Sequence, residues 1–403
     1  MIMQFVEIIK NIFKKISKIF YLFKNSSFKI FSPKKKKILI FDEVSVHIFK
    51  EILKDNDYYI LKSRKCTLYL NILIKSIFKY KNNWNLNNYL IDLINYVSPD
   101  IIFSFVDNNT FLWTIKNNLK KKTITFLIQN GYRNYAHDIF EYIDENKLDK
   151  NKFEVDYLGV FSETIRNFYS RYIKGEKLII GSFRNNQVPV SINNNNSDIL
   201  FISEFASKSA FNPKYSPKDY WYPENFFLPI IKEFAIKKHL KLKILGKLNN
   251  DRKLKNEEIE FYKKIIGEDN WEYLESNIPY ESYKKIDKCK FVVFVSSTLG
   301  YESIARGKPT AALCSRNFKY NQHKIKNDYK FAWPSNMPDK GNFWTNDCEK
   351  GETLRILDFV NNISLDDWNI LKENVQKSFM IYNKNNSLFL DKLRDLKIQT
   401  KNS

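Results

Sequence analysis

The chain has 403 residues, 43% hydrophobic and 16% aromatic, with a formal net charge of +21. That much apolar material excludes a disordered chain, and the length exceeds one hydrophobic core and fits two domains of roughly 150–200 residues each. Only ten of the 66 basic residues are arginine; bidentate phosphate and base-edge recognition favours arginine, and no helix-turn-helix, zinc-finger or RNP pattern is present, so a nucleic acid partner is not expected.

Residues 5–23, FVEIIKNIFKKISKIFYLF, carry apolar residues at helical spacing, with Lys10, Lys14, Lys15 and Lys18 largely off that stripe. The lysines break every long apolar run, so the segment should not span a bilayer, and no cleavage site marks a signal peptide. Two readings stay open. One is a basic amphipathic helix on an anionic membrane surface, and the other is a helix packed on the protein's own core.

After Ser32-Pro33 and the cluster Lys34–Lys37, short apolar runs alternate with helical stretches. Strands are expected at 37–43, 100–109, 123–133, 155–163 and 177–183, with a helix at 87–97. The polar run 193–197, NNNNS, reads as a linker. A second series follows: strands at 198–205, 240–248, 270–275, 290–295 and 309–315, and helices at 223–239, 256–267 and 280–289. The tail beyond 350 carries two helical patterns and is a candidate to pack back on the first domain. The expected layout is an N-terminal helix (1–33), a first domain (34–192), the linker (193–197), a second domain (198–350) and C-terminal helices (351–403). The alternation gives an α/β fold of two doubly wound domains joined by a short linker, with an extra N-terminal amphipathic helix.

The four cysteines, Cys66, Cys289, Cys314 and Cys348, lie far apart without a CxxC pair. Neither a disulfide framework nor a zinc site is expected, and the location reads as cytoplasmic, on the inner face of the membrane.

The most informative stretch is VFVSSTLGYESIARGKPTAAL, 293–313. In open α/β sheets ligands sit beyond the carboxyl ends of the strands. A strand ending at Ser296 therefore puts Ser296, Ser297 and Thr298 at that edge. Gly300 permits close backbone approach, and a helix N-terminus with hydroxyls beside it cradles phosphate. Glu302, read onto the first helical turn, is placed to accept sugar or ribose hydroxyls, with Arg306 one turn on. The plainer reading is that the hydroxyls cap the helix and Glu302 is a first-turn acid.

The run Ser-Thr-Leu-Gly-Tyr-Glu followed by Ala-Arg-Gly-Lys resembles the donor domain of GT-B glycosyltransferases of bacterial surface polysaccharide synthesis. It is similar above all to O-antigen biosynthesis proteins, and more loosely to CDP-glycerol glycerophosphotransferases, polysialyltransferases and the UDP-GlcNAc 2-epimerase fold. LIQNGYR (127–133) and GSFRNN (181–186) also resemble segments of that family. The resemblance implies a GT-B-like fold of two Rossmann-like doubly wound domains facing a cleft, with a nucleotide-sugar donor held by the second domain and a lipid-linked or saccharide acceptor on the first. No His-Pro pair of the sialyltransferase kind is present, and Asn130-Gly131 stands where the family carries His-Gly. No DxD signature is present, so neither a metal nor another cofactor is expected; helix dipole and basic residues would stabilise the leaving phosphate.

Candidates for the base that takes the acceptor proton are Asp42, Glu43 and Asp107, all at strand ends. Asn108, Gln129, Asn130, Gly131 and Arg133 are expected on the acceptor side, and Lys247 beside the donor diphosphate. Glu204 and His137 are secondary candidates. The leading function is glycosyl transfer. Polyol-phosphate transfer or nucleotide-sugar epimerisation on the same fold, and a non-catalytic membrane-associated scaffold, are the alternatives.

Overall fold

The structure is a computed structural model and describes residues 26–54, 57–63, 65–133, 135, 138–193, 196–206, 220–247, 251–314 and 337–401. The stretch 5–23, His137 and the middle of the 193–197 run lie outside the described residues.

Two parallel sheets organise the chain. β1 (Ser27–Lys29) precedes the first sheet, which comprises β2 (Ile38–Phe41), β3 (Tyr58–Leu61), β5 (Ile101–Ser104), β6 (Ile124–Ile128), β7 (Glu154–Val160) and β8 (Lys174–Ile179). β4 (Thr67–Tyr69) instead pairs with β1 in a small parallel ladder. The main sheet runs β3-β2-β5-β6-β7-β8. The second sheet, of β9 (Asp198–Ile202), β10 (Lys241–Leu245), β11 (Trp271–Leu274), β12 (Phe291–Phe294) and β13 (Thr310–Ala312), runs β11-β10-β9-β12-β13. ILIF of β2 and FVVF of β12 are buried along their whole length, as central strands covered on both faces must be.

Strand order reverses between β2 and β5 in the first sheet and between β9 and β12 in the second. At such a point the crossovers leave toward opposite faces, and a crevice opens at the carboxyl edge. Both sheets thereby have a built-in place for a ligand.

The C-terminal segment crosses between the sheets. Helices Lys350–Asn362 and Leu365–Val375 bury Ile356, Leu357, Val360 and Trp368 in the core of the second sheet. Helix Ser387–Asp395 buries Phe389 and Leu393 with Ile40, Phe103 and Phe126 of the first. The crossing is fixed by Asn186, whose Nδ2 donates to Asn386 Oδ1 at 2.9 Å and whose Oδ1 accepts from the Asn383 N–H at 2.9 Å.

Some elements differ from the sequence expectation. The tail holds three α-helices rather than two. β3 and the β1–β4 ladder were not foreseen, because YYIL and TLY are too short and too near charged residues to show a period. Among the described residues no helix is long and apolar enough to cross a membrane.

Candidate functional site

β12 leaves the second sheet through Ser296 and Ser297, and helix Thr298–Arg306 begins at once. Ser297 is its N-cap, in extended conformation, and its hydroxyl makes no capping bond to the helix. The helix ends on Gly307, whose φ of 87° is left-handed, so glycine is needed at this turn into β13. The first-turn N–H groups and the positive end of the helix dipole point out of the sheet's carboxyl edge.

That edge forms a cleft of about 770 Å³. From the second sheet it is lined by Ser203 and Glu204 after β9, Gly246 and Lys247 after β10, Ser276–Tyr280 with Tyr283 after β11, and Ser296–Leu299 after β12. The first sheet contributes His47, Asn130 and Arg184. The cleft is thus the switch point of the second sheet, roofed by the first. The two halves touch at its margin: Thr298 Oγ1 accepts the Tyr132 N–H at 2.9 Å, and the Tyr132 ring stacks on Tyr301 at 3.8 Å.

Of the donor-side residues expected from sequence, Lys247, Ser296, Ser297, Thr298 and Glu302 line the cleft. Lys247 is exposed, and its backbone N–H donates to Glu258 Oε1 at 2.9 Å, which fixes the loop and leaves the ammonium outside. Ser296 Oγ donates to the Glu204 carboxylate.

Gly300 requires a correction. A Cβ there would lie 2.1 Å from the Phe294 ring, so the residue lets the helix pack on its own strand rather than letting a ligand approach. Gly300→Ala is therefore expected to cost about 1–3 kcal/mol through overpacking, read as a lower midpoint in chemical denaturation.

Glu302 also departs from its expectation. It is the fifth residue of the helix, beyond the first turn, and is 5% exposed. Ser182 of the first half donates to one carboxylate oxygen, and Tyr283 Oη donates to the other at 3.0 Å. Burial pushes its carboxyl up, against the opposing pull of those donors and of Arg184 and Arg306. Its oxygens are engaged by the protein, so it ties the halves together beneath the cleft. Arg306 does not reach the cleft. It is buried against Asp287, with Nε–Oδ1 at 2.9 Å and Nη2–Oδ2 at 2.5 Å.

The acceptor-side candidates divide similarly. Only Asn130 lines the cleft. Asp107 is fully buried, holds Arg133 through two bonds of 2.7 and 2.6 Å, and accepts from Tyr169. Neither a free base nor a free cation is left there. Arg133 also donates to Asn130 Oδ1 at 2.7 Å and so presents Asn130 to the cleft. Gln129 is 1% exposed and bridges Phe161 N and Gly131 O, a backbone brace. Gly131 lies beside Thr298 Oγ1, and Asn108 is half-buried outside the cleft lining.

Asp42 and Glu43 are not in the cleft either. Asp42 has φ 75°, and its carboxylate accepts from the N–H groups of Glu43 and Val44 and from Ser63 Oγ. That is a turn-forming aspartate. Glu43 is exposed and paired with Lys62 at 2.6 Å.

Three cleft features escaped the sequence reading. His47 is exposed, with its ring 5.9 Å from that of Tyr280. Arg184 donates to Ser45 Oγ at 2.8 Å through Nε and lies over Phe105 at 5.0 Å. The loop SNIPYES follows β11 at the same edge as the other strand exits. Strand-end position could have flagged the loop, and the scarcity of arginine could have flagged Arg184. Among the described residues no three His, Cys, Asp or Glu side chains form a metal-holding group.

Residues 102–397 match the family described as "putative O-antigen biosynthesis protein". The chain belongs to that family. The chain matches no curated protein in sequence. Its fold is similar to that of S. aureus MnaA in a UDP co-structure, at 12% identity, covering 90% of this chain and 98% of that one, with a TM-score of 0.51. A Methanocaldococcus jannaschii UDP-GlcNAc 2-epimerase in complex with UDP-GlcNAc and UDP follows at 11% identity, 91% and 100% coverage and 0.49. The wall teichoic acid polymerase TagF stands at 12%, 91% and 90%, and 0.49. The MnaA likeness shows the fold: two Rossmann-like domains in a GT-B-like arrangement.

Proposed function

We propose that this protein is a GT-B glycosyltransferase, moving a sugar from a nucleotide-activated donor to a lipid-linked or saccharide acceptor in surface polysaccharide synthesis. The observation that carries the reading is the cleft itself. A hydroxyl-lined helix N-terminus and Lys247 stand on one side, and His47, Asn130 and Arg184 stand on the other.

In this reading the donor diphosphate lies at the start of helix Thr298–Arg306. The bond between the anomeric carbon and the phosphate oxygen breaks, and the departing nucleoside diphosphate is stabilised by the first-turn N–H groups and Lys247. The acceptor hydroxyl oxygen bonds to the anomeric carbon, and its proton passes to a base on the first-domain side. His47 replaces Asp42, Glu43 and Asp107 as the candidate for that base.

The test is a thermal-shift panel of UDP, GDP, CMP, CDP and dTDP with their sugar conjugates. MnaA holds UDP in its co-structure, which makes UDP the first nucleotide to try. A ligand that binds only the folded chain, present at 100 times its Kd, adds about 2.7 kcal/mol. Lys247→Ala is expected to weaken the responding nucleotide by about tenfold or more, the loss of one charge-assisted contact. No shift with any nucleotide would favour the scaffold reading. Conversion of the donor without an acceptor would favour an epimerase, and a response confined to a CDP-polyol would favour a polyol-phosphate transferase.

A further inference from the structure

We propose that the outer face of helix Leu70–Tyr80, joined to β1 and the residues just after it, is a docking surface for an anionic lipid bilayer. The proposal deepens the lipid-linked acceptor of the reading above and rests on that reading only for why a bilayer should be near.

Helix Leu70–Tyr80 is apolar on two faces. Ile72 and Leu73 point into the first-domain core. Ile74, Ile77 and Phe78 point outward, Phe78 being 75% exposed. Segment 28–31 adds Phe28, Ile30 and Phe31, and Phe31 is 86% exposed. These six are nearly half of the thirteen exposed large hydrophobic side chains among the described residues, so they are not the single scattered residues of an ordinary surface.

The two segments form one surface. β1 pairs in register with β4, Phe28 opposite Leu68 and Lys29 opposite Tyr69, and β4 runs directly into the helix at Leu70. One residue past Phe31, the Ser32 hydroxyl accepts from the Asn71 side chain of the helix.

Charge selects the occupant. Residues 26–41 and 65–91 hold nine lysines and no aspartate or glutamate; of these lysines, Lys79 is paired with Asp92 at 2.7 Å. Lys29, Lys34 and Lys75 are exposed and lie within three residues of Phe28, Phe31 and Phe78 along the chain. Phenylalanine and isoleucine flanked by an excess of lysine fit the boundary between acyl chains and anionic headgroups, where the lysines draw the surface in and the rings bury. A protein partner of ordinary composition would not need so one-sided a charge.

The experiment is sedimentation of the full-length chain with vesicles of phosphatidylglycerol and phosphatidylcholine, and with phosphatidylcholine alone. Wild type is expected to partition onto the anionic vesicles and to be released by salt. Phe31→Ser combined with Phe78→Ser is expected to lower the partition coefficient about tenfold or more. Both rings are exposed, so the lipid-free thermal midpoint should stay within a degree or so of wild type, near the limit for surface changes. Unchanged partitioning of the variant would overturn the proposal. So would a lower lipid-free midpoint or a changed oligomeric state in light scattering, since either would mean that the patch is covered by the chain itself or by a second copy. The nucleotide-induced shift is read on the same variant. Its absence in wild type and variant alike would remove the transferase reading while leaving the vesicle result to stand by itself.

Discussion

Replacing Arg306 by alanine is expected to destabilise the protein by about 3–5 kcal/mol, the cost of breaking a buried pair from one side. The guanidinium side chain is 0% exposed and Asp287 4%. Besides the two bonds to Asp287, Nη1 donates to Asn185 Oδ1 and to the Val188 carbonyl, both at 3.0 Å, and Nη2 donates to the Pro189 carbonyl at 3.1 Å. Asp287 in turn accepts the Ser191 N–H at 3.0 Å. One ion pair therefore fastens residues 185–191, the exit from the first sheet, to the helix that carries the cleft hydroxyls. Truncation leaves a buried carboxylate without its cation and several acceptors without a donor. Lysine is no substitute, because its ammonium cannot supply a planar fork in five directions. Chemical denaturation of Arg306→Ala, Asp287→Ala and the double variant measures this. The double variant should lose much less than the sum, since each single change already forfeits the pair. A loss below about 1 kcal/mol for Arg306→Ala would mean that the pair does not hold the halves together.

The same residue shows what a sequence can and cannot convey. The unit around β12 was legible because its cues are local. FVVF is a buried strand, Gly307 takes a left-handed turn, and the carboxyl-edge rule then puts Ser296, Ser297 and Lys247 in the cleft. The partners of the charged residues were not legible, because they come from far along the chain. Asp107 at a strand end has the same local context whether it faces a substrate or Arg133, and Arg133 lies 26 residues away. Glu302 meets Ser182 across 120 residues, and Arg306 meets Asn185 across 121. A polar strand end serves a ligand or a neighbour equally well, and only the packed fold decides which. His47 was missed for the converse reason. Its surroundings in SVHIFKE carry no motif, and it matters only because SNIPYES is brought opposite it.

Replacing His47 by glutamine is expected to lower kcat about 10²–10⁴-fold, the usual range for a lost general base, with little change in donor binding. The fold should be unaffected, because the imidazole is exposed and its neighbours Val46, Ile48 and Phe49 provide the buried face of that short helix. His47 is the histidine that lines the cleft among the described residues, and it enters from the first domain, across from the proposed diphosphate site. A base in that position takes a proton from the acceptor and does not touch the donor. The loss should therefore fall on kcat while the nucleotide-induced thermal shift is retained, which separates it from Lys247→Ala, where the shift itself weakens. Glutamine keeps a hydrogen-bonding side chain without the ability to take the proton, so positioning alone cannot explain a deficit. Partial recovery of His47→Ala by added imidazole would identify the missing group as the proton acceptor. If kcat survives the substitution, the base must come from the second-domain side of the cleft. Glu204, held by Ser296, would then be the carboxylate to replace next.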